Sequence, residues 1–230
     1  MIGIYFLGIV FFLISMYVSY RLKSKFKLYS QTPLSSGLSG AEIANKMLRD
    51  NGIYDVQVIS VEGQLTDHYN PLNKTVNLSQ AVYHERNAAA AAIASHECGH
   101  AVQHANSYTW LNLRSKLVPL VNVSSNFMQW IILIGIMVLY ASQNPTVLIV
   151  GIVLFGITTL FSFITLPVEF DASRRALAWL TEKNMVNSSE YEMSKDALKW
   201  AALTYIVAAL GSLATLLYYI SMLSGSRNDR

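Results

Sequence analysis

One cysteine, Cys98, stands in 230 residues, so a disulfide framework within the chain is excluded. Charge is scarce as well. Only 13% of residues are Asp, Glu, Lys or Arg against 53% hydrophobic, a balance outside that of ordinary soluble domains. The net charge of +3 is small, and no basic stripe runs along any segment. Nucleic acid is therefore not an expected partner. Internal repeats are absent, and the alanines at 88–92 form the one low-complexity tract.

What the chain has instead is long apolar runs. A bilayer core about 30 Å thick needs roughly 20 apolar residues in a helix. Residues 2–20, 146–167 and 201–223 meet that length without a charge. A fourth candidate, about 119–141, carries Asn122, Ser124, Ser125 and Asn126 in its first turns. Those polar groups belong at the interface or against other helices, because facing lipid is costly. The first run reads as an anchor, not a cleaved signal peptide: it lacks a basic n-region and a small-residue cleavage site, and the basic cluster Arg21, Lys23, Lys25, Lys27 follows it.

Four spans place 21–118 and 168–200 on one side. That side holds Arg21, Lys23, Lys25, Lys27, Arg114, Lys116, Arg174, Arg175, Lys183, Lys195 and Lys199 near the spans, against Arg227 and Arg230 on the other. Lys and Arg mark the cytoplasmic face, so the soluble mass is expected in the cytoplasm. Within it, Ser39 and Glu42 form a capping box opening a helix over about 40–51, with Gly52 ending it. Residues 54–61 read as a strand, 66–73 as a turn-rich loop, 75–78 as a second strand and 80–84 as a short helix or turn. A single helix is expected over about 87–106, capped by Asn87.

That helix carries His96-Glu97-Cys98-Gly99-His100, an H-E-x-x-H pattern. Residues four apart share one helix face, so both imidazoles can meet one ion, while Glu97 sits at the edge of that face as a general base. His104 continues the series, but along a straight helix it lies ~12 Å from His96, too far to share the ion. Cys98 projects from the opposite face and reads as a small apolar packing residue. Catalytic zinc takes three protein ligands plus water. The third could come from Asp67, His68, His84, Glu85, Glu169, Asp171 or the cluster around Glu190. Glu169 is the best placed, just after the span ending at 167, on an expected helix over about 168–181. Asp171 is expected to face away from it, solvated or paired with Arg174 or Arg175.

Thr-Asp-His-Tyr-Asn-Pro at 66–71, His-Glu-Cys-Gly-His-Ala-Val-Gln-His at 96–104 and Leu-Pro-Val-Glu-Phe-Asp-Ala-Ser at 166–173 together resemble the YugP-type neutral zinc metallopeptidases of bacterial membranes. The resemblance covers nearly the whole chain. The last motif is also similar to the Glu-x-x-x-Asp helix of HtpX-like and CAAX-protease-like enzymes, with Ser173 here in place of the Asp. The resemblance implies that Glu169 is the third ligand of a gluzincin arrangement.

The expected fold is a mainly α membrane protein with about four transmembrane helices and a small α+β zincin-like catalytic domain. Its segments are an anchor at 1–20, a cytoplasmic catalytic segment at 21–118, a transmembrane hairpin at 119–167, a cytoplasmic helical segment with the third ligand at 168–200, and a transmembrane helix and short tail at 201–230. The expected activity is zinc-dependent endopeptidase action in the bacterial cytoplasmic membrane, the active site facing the cytoplasm. One Zn2+ per chain would be held by His96, His100 and Glu169, with Glu97 as general base toward water. Its partners would be a peptide or protein substrate and membrane lipid. His68, Tyr69 and Arg175 are candidate oxyanion donors, Ser173 a candidate support for the site, and the strand at 75–78 a candidate edge for substrate pairing. The alternative is a non-catalytic scaffold that binds zinc for structure, but such sites are usually closed by four cysteine-rich ligands.

Overall fold

A computed structural model describes residues 2–228. Arg230, counted in the charge comparison, and the end of the expected 201–230 segment lie outside them. The elements run α1 (Ile2–Tyr29), α2 (Gly40–Asp50), β1 (Gln57–Val61), β2 (His68–Asn70), β3 (Thr75–Ser79), α3 (Gln80–Tyr83), α4 (Ala88–Ala105), α5 (Thr109–Ser142), α6 (Thr146–Glu182) and α7 (Ser188–Asn228). Of these, α1, α5, α6 and α7 are long and apolar enough to cross a membrane. The protein is a mainly α membrane protein with a small three-stranded sheet.

Each long helix continues past its apolar run. The expected span at 119 begins ten residues earlier, at Thr109, and Pro119 lies inside α5. The helix expected at 168–181 is the end of α6, unbroken through Pro167. Hydropathy marks where lipid could lie, not where backbone hydrogen bonding stops, so it misses these extensions.

The chain divides into two compact units. One comprises Met1–Tyr17, Leu113–Leu166 and Thr204–Arg230. In it the glycines permit close helix packing: a Cβ on Gly135 would lie 2.6 Å from the Leu148 backbone, and one on Gly151 2.7 Å from the Ile132 side chain.

The other unit comprises Val18–Asn112 and Pro167–Leu203. Here the sheet has the order β1-β3-β2, with β1 parallel and β2 antiparallel to β3. Two expectations fail. The segment at 66–73 contains β2, because Asn70 Oδ1 accepts from the amides of Leu72 and Asn73 and turns the chain back onto β3. The strand at 75–78, expected at an edge, is the central one, so substrate cannot pair with it; the edges are β1 and β2. The strand expected from 54 begins at Gln57, whose partner Thr75 is where β3 starts.

The capping box forms as expected. Glu42 accepts from the Ser39 amide at 2.7 Å, and Gly52 takes a positive φ of 71°. Asn87 caps α4 through Ala90 N at 2.9 Å. The alanines of α4 are buried against Ile43, Met47, Leu78, Val82 and Leu180, and their small size lets α2, β3 and α6 approach the helix.

Candidate metal centre

Two helices of the second unit build the site. His96, Glu97 and His100 lie on α4; Glu169, Asp171 and Ser173 lie on the last turns of α6. Gly99 brings the two backbones together: a Cβ there would sit 2.6 Å from the Ala172 carbonyl oxygen. Ala172 itself is flanked in sequence by Asp171 and Ser173, so the close approach occurs amid the side chains that matter.

His96, His100 and Glu169 converge, their ligand atoms all within 4.8 Å of one another. The same Glu169 Oε2 lies 3.4 Å from His96 Nε2 and 3.6 Å from His100 Nε2. Donors at about 2.1 Å from a tetrahedral zinc lie about 3.4 Å apart, so these separations fit the ion. Two imidazoles and a carboxylate are also a set that zinc accepts with one position left open. Glu169 is 2% exposed, a carboxylate too deeply buried to rely on water for compensation.

The outer ring nitrogens are held as well. His96 Nδ1 lies 3.1 Å from Ser173 Oγ, and His100 Nδ1 3.0 Å from Gln103 Oε1. The Gln103 amide donates to the Val168 carbonyl at 2.8 Å and to Asp171 Oδ2 at 2.9 Å. Asp171 also accepts from Arg174 and, at 2.6 Å, from Arg175 Nε. It therefore has the arginine partners expected of it but is buried, not solvated, because Gln103 binds it from the inside. Burial would push the His100 imidazolium down, yet the Glu169 carboxylate, the Glu97 charge and the Gln103 bond outweigh it and hold the pKa above 6.5.

Glu97 is 8% exposed and has no hydrogen bond or ion pair to other described residues, so its carboxylate is not committed to a structural role. Tyr69, on the edge strand β2, meets His104 Nδ1 through its hydroxyl at 2.8 Å. His68 turns back on its own loop, Nδ1 to the Thr66 carbonyl at 2.8 Å, and is exposed. Arg175 is engaged by Asp171 and lies over the Tyr108 ring at 5.8 Å. None of the other candidate ligands joins the cluster. Asp67 accepts from Ser79 N at 2.7 Å, and Glu190 from Ser35 N at 2.6 Å and Asn187 N at 2.8 Å. Cys98 is fully buried with Sγ 3.5 Å from the Ala44 carbonyl, and burial pushes its thiol well up, away from the thiolate a metal needs.

The profile of a family described as "putative neutral zinc metallopeptidase" matches residues 4–224. The chain belongs to this neutral zinc metallopeptidase family. It is 42% identical to "putative membrane protease YugP" of Bacillus subtilis (strain 168) over 216 residues, which is 94% of each chain. No solved structure matches. Family membership and the four apolar helices together make this a membrane protein of a zinc metallopeptidase family.

Gln103 and Gly99 are the residues that sequence reasoning passed over. Gln103 lies three residues beyond His100 on the same helix face, a signal available in the spacing. Its partners on α6 lie 65 and 68 residues away and were not.

Proposed function

We propose that the protein is a membrane-bound zinc-dependent endopeptidase in which His96, His100 and Glu169 hold one Zn2+ and Glu97 is the general base. The convergence of three donors from α4 and α6 at zinc-compatible separations carries this reading. Bound zinc supplies Lewis acidity, which makes water a nucleophile near neutral pH and polarises a carbonyl. Glu97, uncommitted and one residue from His96, takes a proton from the attacking water and returns it to the leaving amine. Glu169 offsets the positive charge of the ion, while Ser173 and Gln103 orient the imidazoles.

An extended peptide would pair along β2, the sheet edge that carries Tyr69. Tyr69, joined to His104 one turn beyond His100, is then better disposed than Arg175 to donate to a developing oxyanion, since Arg175 is held by Asp171. The excess of Lys and Arg on the site's side of the spans supports a reading in which the site faces the cytoplasm.

Zinc content and proteolysis of purified wild-type, Glu97→Gln and Glu169→Ala proteins test the reading. The wild type should hold one zinc and cleave. Glu97→Gln should keep zinc and lose turnover, and Glu169→Ala should lose both. A Glu97→Gln protein that cuts at the wild-type rate would overturn the mechanism; zinc retained without any proteolysis in the wild type would favour a structural site.

A further inference from the structure

Four basic residues follow the first apolar run on α1 at two-residue spacing: Arg21, Lys23, Lys25 and Lys27. The structure sorts them into two pairs. Arg21 stacks over the Trp200 ring at 5.0 Å, and Lys25 pairs with Asp196 at 2.8 Å and donates to the Tyr29 hydroxyl at 3.1 Å. This pair is spent on packing α1 against α7. Lys23 and Lys27, about 200° around the helix from it, point elsewhere. Both are exposed, and neither has an acidic partner among the described residues.

Both also line a cleft of about 540 Å³, together with Phe26, Gln64, Leu65 and Ala81. That volume is in the range of small-molecule sites. Leu65 is held at a positive φ of 58°, a conformation a leucine rarely adopts, with its apolar side chain exposed at the cleft. A strained loop that offers an apolar group beside two unneutralised ammonium groups suits a ligand with both an anionic and a hydrocarbon part. The position adds to this. Lys23 lies three residues beyond Tyr20, the last of the uncharged run, which is about 4.5 Å of helix rise. That is the level at which lipid headgroups begin.

We propose that this cleft binds the headgroup of an anionic phospholipid, with Lys23 and Lys27 flanking its phosphate and Phe26, Leu65 and Ala81 meeting the glycerol and first acyl carbons. The site is separate from the metal centre and independent of the peptidase reading. A free phosphate offers the same charge but nothing for the apolar lining, which gives the test its second arm.

Native mass spectrometry of the detergent-solubilised full chain, titrated with phosphatidylglycerol or phosphatidylcholine, reads the binding directly. One phosphatidylglycerol should be retained in preference to phosphatidylcholine. Each near-surface lysine contributes roughly fivefold, so the Lys23→Gln/Lys27→Gln protein should lose about thirtyfold in affinity. Lys23→Arg/Lys27→Arg should keep it. Lys116→Gln, which removes a single charge on another long apolar helix, α5, should stay within twofold of wild type. Equal phosphatidylglycerol binding by the double glutamine variant, or no preference over phosphatidylcholine, overturns the proposal. Displacement of the lipid by an equal concentration of inorganic phosphate overturns the lipid assignment.

Discussion

Gln103 and His100 meet through Oε1 and Nδ1 at 3.0 Å, and the other bonds of the glutamine decide the direction of that contact. Its amide nitrogen faces two acceptors, the Val168 carbonyl and Asp171 Oδ2, so the oxygen must face the histidine. His100 Nδ1 must then carry the proton. The lone pair is left on Nε2, the atom 3.6 Å from Glu169. A fully buried carboxamide thus selects the tautomer that can bind a metal.

Replacing Gln103 with Leu removes the acceptor and leaves Asp171 without one of its donors. Loss of such a support typically costs 10- to 100-fold in metal affinity. Ser173→Ala should cost less, because Ser173 is half-buried and water can stand in for its hydroxyl. Competition for zinc with a chromophoric chelator checks the order. If Ser173→Ala is the more damaging, the buried network is not what orients the site.

Gly99→Ala tests the helix contact by itself. The new methyl would meet the Ala172 carbonyl at 2.6 Å, and backbone on both sides leaves no flexible group to yield. Overpacking of this kind costs about 1–3 kcal/mol. The separation of α4 and α6 should also weaken zinc binding, whereas Ala101→Gly, two residues on, should reduce stability without the same loss of metal. Thermal melts and zinc titrations of both variants distinguish the two effects.

Much of this arrangement was legible in the sequence. The spacing of His96 and His100, the Asn87 cap and the Ser39–Glu42 box are local patterns, and local backbone geometry suffices to realise them. Glu169 could be ranked first because it follows an apolar run that returns the chain to the same side. The β2 strand was hidden, since three residues among turn formers become a strand only by pairing with β3. Gln103 was half visible: its contact with His100 is one helical turn, but its hold on Asp171 depends on α6 lying against Gly99.

The metal-free protein should respond to pH through His100. Its folded pKa is raised above 6.5, chiefly by Glu169 against the opposing effect of burial. A raised folded value means that this group's contribution to stability is complete below about 6.5, its unfolded value, and is lost as pH rises through the folded value. Zinc competes with the same proton, so its apparent affinity should fall as pH drops below the folded value. Melting of apoprotein at pH 6 and pH 8, with zinc titrations at both, should show opposite trends. Zinc affinity that does not change over this range would contradict the competition.

Metal removal supplies the complementary prediction, and it needs no substrate. Without an ion, the buried Glu169 carboxylate has to be balanced by imidazoles, one of which must take a proton. An ion bound there replaces that arrangement and stabilises the native state by mass action, about 4 kcal/mol when free zinc exceeds its Kd a thousandfold. Chelation should therefore lower the unfolding midpoint, and added zinc should restore it. In Glu169→Gln the amide keeps the side-chain shape but is a poor metal donor, so the apoprotein should fold while zinc leaves its midpoint nearly unmoved. Glu97→Gln should respond to zinc like the wild type, because the proposed base is not a ligand. A midpoint that rises equally with zinc in wild-type and Glu169→Gln proteins would place the ion elsewhere in the chain.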